Sequence, residues 1–416
     1  MKTGLITFHA AMNYGSALQA YALQKYLEGR GHDVEIIDFR SLAQRRLYPA
    51  PVCFNSVYNA KQSLRRLASG WDTIGFMRRK RMAFSRFMNE QMNLTSCRFG
   101  SGRQLRRHDW SSYDMLVSGS DQIWNPSAID FSLAYFLDFA ESTQAQERSC
   151  LSGCSRGPCK VAYAPSAGPA PRLRQGLGTE IRRLLSQYSA VSVRETQTAG
   201  FLQENGLVGS GCNGGGGLPV LPDPVLLHDA AFWRALASSE DCAAADNALP
   251  GKYILYYAPG RGSREAEMTA DAFSAGMLGH GASSVRQGSA RIPVLVVSDG
   301  ASAGQGYGSP SAGVSMRRHV PCGPAGFISL VDSAECTVGT SYHLMLFSMI
   351  LGKDFWCPDA SSDSRKLQLL ASAGLSADSR LFRFSDPAVR ARTVSAAAAM
   401  HRDADSFFSR VAAEKV

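Results

Sequence analysis

The sequence predicts an α/β protein made of two Rossmann-like, doubly wound domains with a cleft between them. Three observations carry that prediction. The chain opens with a strand–loop–helix–strand unit, strands and helical periodicities then alternate for about 200 residues, and the same rhythm resumes from Tyr253 to the end of the 416-residue chain. Alternation of this kind packs strands into parallel sheets with helices on both faces. The expected division is residues 1–224 for the first domain and 225–416 for the second.

Each element has its own reason. Residues 4–8 (Gly-Leu-Ile-Thr-Phe) are β-prone, and residues 9–15 are small and polar. Leu18, Tyr21, Ala22, Leu23, Tyr26 and Leu27 then recur at helical spacing until Gly29 and Gly31 end the helix. Residues 34–39 form the second strand, which implies a right-handed βαβ crossover. Strands are further expected at 114–117, 160–165 and 190–193, with a helix over 172–188. In the second half, strands are expected at 253–257, 292–297 and 336–340, and helices at 325–334, 344–351 and 395–411. Residues 205–219 are too glycine-dense for regular structure, and they lack the Gly-Lys-Ser/Thr ending of a phosphate-binding P-loop. The Gly/Ser/Ala-rich stretches 278–290 and 299–315 read as exposed loops.

Composition narrows the function. Hydrophobic residues make up 45% of the chain and charged residues 19%, which is ordinary for a globular protein with sizeable cores. There is no run of 18 apolar residues, and His9, Asn13 and Gly15 interrupt the N-terminal apolar patch too early for a signal peptide, so the expectation is a cytoplasmic enzyme. The net charge of +9 is concentrated: residues 41–110 hold 14 Lys/Arg against Asp72, Glu90 and Asp109, and the rest of the chain is slightly acidic. This block reads as a basic helical insertion. Its charge is either a solvated face or an attraction for an anionic membrane surface or an anionic, nucleotide- or lipid-linked sugar. No nucleic-acid-binding motif accompanies it, so no nucleic acid partner is expected. The ten cysteines include one cluster, Cys150, Cys154 and Cys159, without a Cys-x-x-Cys pair or a nearby histidine. Incidental thiols in a loop insertion are the simplest reading, and no metal or cofactor is expected.

The residues that could carry chemistry lie where strands end. The first βα loop offers Asn13, Tyr14 and Gly15. The loop after residues 114–117 offers Ser118, Gly119, Asp121 and Asn125, where small residues let backbone N–H groups approach a ligand and Asp121 and Asn125 supply acceptors. Arg194 ends a buried strand, where its guanidinium is either neutralised by Glu195 or free to grip a carboxylate or phosphate. His343, with Ser341, Tyr342 and Leu344 around it, stands at the junction of a strand and an apolar helix. Free N–H donors at such a junction attract anions, and an imidazole there can deliver a proton.

Read in order, these blocks resemble the polysaccharide pyruvyl transferase family. The likeness rests on Asn-Tyr-Gly-Ser-Ala-Leu-Gln-Ala-Tyr-Ala-Leu from residue 13, Val-Ser-Gly-Ser-Asp-Gln-Ile-Trp-Asn-Pro from 117, and Val-Ser-Val-Arg-Glu from 191. It continues through Pro-Asp-Pro-Val-Leu-Leu from 222 and Phe-Ile-Ser-Leu-Val-Asp-Ser-Ala from 327 to Gly-Thr-Ser-Tyr-His, which ends at 343. The resemblance implies a glycosyltransferase-B-like fold and transfer of a pyruvyl group from phosphoenolpyruvate to a sugar, usually as a ketal. It puts Arg194 and His343 at the donor site with Asp121 nearby. The family often has Gly after the motif histidine, where this chain has Leu344. Two alternatives stay open: a nucleotide-sugar-dependent glycosyltransferase of the same fold, and an inert sugar-binding member.

Overall fold

The computed structural model describes residues 1–54, 56–68, 70–140, 157–208, 217–239, 250–259, 264–274, 292–297 and 317–413. Two six-stranded sheets organise them. The first holds β1 (Lys2–Ile6), β2 (Asp33–Phe39), β3 (Leu94–Phe99), β4 (Met115–Ser118), β5 (Cys159–Ala162) and β6 (Ala190–Val191) in the order β3-β2-β1-β4-β5-β6. Every pairing in it is parallel. The second holds β7 (Ile254–Tyr257), β8 (Val294–Val297), β9 (Arg317–His319), β10 (Cys336–Gly339), β11 (Phe355–Trp356) and β12 (Leu381–Phe382) in the order β12-β11-β10-β7-β8-β9. Only its last strand runs antiparallel.

Both sheets therefore repeat one doubly wound order, with the first strand of each beside its fourth. Chain direction reverses its winding between those two strands, and the crevice outside their carboxyl ends is where such sheets bind ligands. Two such domains make the glycosyltransferase-B-like architecture that the resemblance implied. The strands read as short apolar runs because helices cover both faces: Leu5, Ile6, Leu116, Val117, Ile254, Leu255 and Val338 are wholly buried.

Several expectations shift. The 41–110 block is not only an insertion, because it contributes β3 at the sheet edge beside the helices Leu42–Leu47, Val57–Ala68, Trp71–Gln91 and Gly102–Arg107. The strands β9, β11 and β12 have two or three residues each, too few to show a period. The helix expected from 344 begins at Tyr342, because Ser341 caps it by accepting the Leu344 N–H at 3.2 Å. The helix expected over 172–188 covers only Leu177–Leu185. Cys150, Cys154, most of the glycine-rich stretch and the two Gly/Ser/Ala-rich loops lie outside the described residues.

The last helix, Pro387–Ala413, crosses back onto the first domain. Its Asp405 accepts from Tyr26 Oη and Arg30 Nη1, each at 2.6 Å, and its Phe408 ring stacks on Tyr163. Among the described residues, no helix is long and apolar enough to cross a membrane.

Candidate active site

The two ligand crevices face each other. From the first sheet come the loop and helix start after β1, the loop after β4, and Arg194 just beyond β6. From the second comes the helix Tyr342–Leu351, which follows β10. The halves meet closely at Gly15 and His343. A Cβ built on Gly15 would lie 2.0 Å from His343 Nδ1, so only glycine lets the imidazole seat there. Tyr14 fixes the same seam, since its hydroxyl donates to the Cys322 carbonyl at 3.1 Å and its ring stacks on Phe327.

Arg194, His343 and Asp223 converge. Arg194 Nη1 donates to Asp223 Oδ2 at 3.0 Å, and His343 Nε2 lies 3.4 Å from that same oxygen. Arg194 Nε donates to Glu195 Oε2 at 3.2 Å. Arg194 is 3% exposed, Glu195 1% and Asp223 0%. The guanidinium is thus neutralised inside the protein by Glu195, as one sequence reading allowed, and by a second carboxylate that the reading did not name. Burial penalises the Asp223 carboxylate, but attraction to His343 and Arg194 outweighs it and lowers its pKa to about 2. Burial also opposes the Arg194 charge, and the fields of Glu195 and Asp223 more than offset this, so its pKa is raised. The signal for Asp223 was present in the sequence. An Asp followed by Pro caps a helical start, and here Asp223 Oδ1 accepts the Val225 N–H at the turn Pro224–Leu227.

Two polar atoms in this cluster stay unsatisfied. Arg194 Nη2 and His343 Nε2 are buried without a hydrogen-bond partner, the imidazole standing at ion-pair distance from Asp223 but off hydrogen-bonding geometry. The Tyr342 ring lies between two cations, with the guanidinium carbons of Arg194 and Arg365 each 5.3 Å from its centroid. Gln368 crosses from the second domain, accepting the Thr196 N–H at 2.8 Å and donating to the Arg194 carbonyl at 3.1 Å. The cavity bounded by Arg194, Asp223, Tyr342 and Arg365 measures about 20 Å³. That volume is water-sized. A roomier apolar cavity of about 570 Å³ lies behind the Pro224–Leu227 turn, away from these charges.

The other sequence-predicted residues divide. Asn13 caps the helix Tyr14–Gly29 by accepting the Ser16 N–H, and Asp121 Oδ2 accepts from Ser16 Oγ at 2.6 Å. Asp121 adopts φ 73°, a strained value for a side chain of this kind, and is held there by the Gln122 N–H and by its own carbonyl, which accepts from the Ser166 N–H. Ser16 ties Asp121 to the helix start that carries Asn13 and Gly15, Gly15 meets His343, and Asp223 links His343 to Arg194 beside Tyr342, so these residues form one neighbourhood. Ser118 and Leu344, expected as ligand contacts, lie outside it. The Ser118 hydroxyl is fully buried, donating to the Tyr135 carbonyl and accepting from the Trp124 indole. The Leu344 side chain is core, and its N–H is spent on the Ser341 cap. Gly119 is a packing site, since a Cβ there would meet Leu5 at 2.7 Å. Asn125 accepts the Ser127 N–H within its own turn. Among the described residues, no group of three His, Cys, Asp or Glu side chains could hold a metal.

The model of one family, polysaccharide pyruvyl transferase, matches residues 13–275. The chain belongs to the polysaccharide pyruvyl transferase family. That match takes in the Asn13 loop, the Asp121 loop, Arg194 and Asp223, and stops before His343. No curated protein matches the sequence. Solved structures of similar shape include Staphylococcus aureus MnaA with UDP, 8% identical over 98% of this chain and 89% of that one, at a TM-score of 0.41. Another is Methanocaldococcus jannaschii UDP-GlcNAc 2-epimerase in complex with UDP-GlcNAc and UDP, 13% identical over 96% and 93%, at 0.39. A third is Neisseria meningitidis UDP-GlcNAc 2-epimerase bound to UDP-GlcNAc, 10% identical over 90% and 86%, at 0.42.

Proposed function

We propose that this transferase moves a pyruvyl group from phosphoenolpyruvate to a sugar of a polysaccharide or its precursor, leaving a pyruvate ketal. The observation that carries the reading is the meeting of Arg194 and His343, from opposite domains, on one oxygen of Asp223, each keeping an unsatisfied nitrogen. A buried N–H without a partner is costly, so such atoms favour a ligand that satisfies them. The N–H groups of Tyr342 and His343, in the first turn of their helix, point the same way for an anion.

In this reading Arg194 Nη2 and that helix start hold the donor's carboxylate and phosphate. His343 gives its proton to the methylene carbon of phosphoenolpyruvate, and positive charge develops on the carbon bearing the phosphate. A sugar hydroxyl adds to that carbon and loses its proton, the carbon–oxygen bond to phosphate breaks with the electron pair leaving on phosphate, and a second hydroxyl closes the ketal. Asp223 orients the imidazole and stays ionised throughout. A 20 Å³ cavity holds no enol phosphate, so in this reading the domains part before the donor binds.

The test is phosphate release from phosphoenolpyruvate that depends on an added sugar acceptor. His343→Ala is expected to slow it by about 10²- to 10⁴-fold with the fold intact, the usual loss for a general acid. Turnover within a few-fold of the unaltered protein would remove His343 from the chemistry.

A further inference from the structure

A second charged site lies in the first domain, about three residues along the chain from the first. A cavity of about 210 Å³ opens at the carboxyl ends of β1, β2 and β3. Its lining includes Arg40, Arg45, Arg81 and Arg98, with Met12 of the first βα loop and Gln44. Arg40 and Arg98 share Asp38, which they hold together with His9. Arg81 donates to the Tyr48 and Pro49 carbonyls, which leave its charge uncompensated. Among the described residues, neither Arg45 nor Arg81 has a carboxylate partner, so four guanidiniums face one acid.

Charge alone could be a solvated face. The deciding observation is Gln44, which is 3% exposed and has neither its amide nitrogen nor its amide oxygen hydrogen-bonded. A buried carboxamide with both ends unsatisfied is costly in a folded protein and marks a place where a polar ligand completes the bonding. The cavity is also tied to the candidate active site by distance. Met12 borders it, and Gly15 holds His343. Three residues of chain reach at most about 11 Å, which is the scale of one sugar carried on a diphosphate.

We infer that this cavity binds the diphosphate of the acceptor, a diphosphate-linked sugar whose hydroxyls are thereby presented at His343. The inference rests on the pyruvyl-transfer reading for its direction, but the site stands on its own residues. Guanidinium forks suit phosphate oxygens, and a mixed set of four matches the spread charge of a diphosphate better than a single carboxylate. The carrier of that diphosphate is either a nucleoside or an isoprenoid lipid.

The experiment is calorimetry on the full chain with inorganic pyrophosphate, UDP, farnesyl diphosphate in detergent, and phosphoenolpyruvate. Pyrophosphate is expected to bind, with affinity falling roughly tenfold or more in Arg45→Glu and also falling in Gln44→Met, while circular dichroism stays unchanged. Competition with pyrophosphate by UDP supports a nucleotide carrier, and competition by farnesyl diphosphate supports a lipid one. Phosphoenolpyruvate affinity should stay within about twofold in both variants, because its site is the other cluster. Absence of pyrophosphate binding, or binding unchanged in both variants, overturns the inference. Failure of phosphoenolpyruvate to bind the unaltered protein refutes the donor reading instead, and leaves the pyrophosphate result standing.

Discussion

The two charged clusters share a plan and differ in balance. Each centres on an aspartate that a histidine and at least one arginine approach: Asp223 with His343 and Arg194, Asp38 with His9, Arg40 and Arg98. At Asp223 the guanidinium is sealed in, its side chain 2% exposed, and meets two carboxylates. At Asp38 the Arg98 side chain is 64% exposed, and two more arginines stand by without acids. The first arrangement fixes geometry, because a desolvated charge with partners on both sides has one low-energy position. The second leaves positive charge over, and that surplus is what recruits an anion from solution. At Asp223 the donors left over are directed ones, such as Arg194 Nη2, so an anion there would be held by hydrogen-bond geometry rather than by net charge.

The largest expected effect tests the first half of that comparison. Removing the carboxylate in Asp223→Ala leaves the Arg194 guanidinium buried with Glu195 alone and takes away the partner of His343. Breaking a buried pair on one side costs about 3–5 kcal/mol, and urea unfolding should lose that amount. The sign with pH follows from the depressed acid. The Asp223 carboxyl goes from an ordinary 3.8 to about 2 in the folded protein, so its contribution is complete above about pH 4 and fades as pH falls to 2. The shift corresponds to about 2 kcal/mol over that window. A variant whose acid unfolding matches the unaltered protein would mean that Asp223 is not the acid holding the cluster together.

The sequence made the frame legible and left the balance hidden. Strand runs such as residues 336–340 and the helix ending at Gly29 could be read because burial writes itself into near-continuous apolar runs. The strand β3 could not, because Leu94–Phe99 alternates weakly inside the most basic stretch of the chain. Of the candidate site, Arg194, His343 and the glycine that seats it were visible at strand ends. Asp223 was not picked out, because its role depends on a fold that brings residues 29 and 120 positions away onto one oxygen. Leu344 is a related case: its side chain is core. One residue of helix register turns a side chain by about 100°, from cleft to core.

The next effect is on rate. Gly15 occupies the second position of the helix Tyr14–Gly29, where alanine would ordinarily stabilise by roughly 0.5–1 kcal/mol. Here its methyl would collide with the His343 ring. Gly15→Ala is expected to hold or raise thermal stability of the first domain while cutting turnover about tenfold or more, since a misplaced catalytic group by 1 Å can cost 10²-fold. Unchanged turnover would show that the imidazole works from a position other than the one it takes between the closed domains, and the seam would then be a resting contact.

The smallest effect is the change in anion affinity at the other aspartate, and it decides whether the two clusters differ as claimed. Asp38→Ala frees Arg98 and Arg40 toward solvent, their side chains already 64% and 19% exposed, and strands only His9. Those arginine pairs reach solvent and contribute about 0–1 kcal/mol each, whereas His9 and Asp38 are both buried, so the stability lost comes chiefly from the stranded imidazole. The same change removes the acid paired with two of the cavity's arginines, and pyrophosphate affinity should rise rather than fall. Weaker pyrophosphate binding would make Asp38 a structural keystone and the arginines around it a scaffold. The contrast between a balanced site and a surplus one would then be lost.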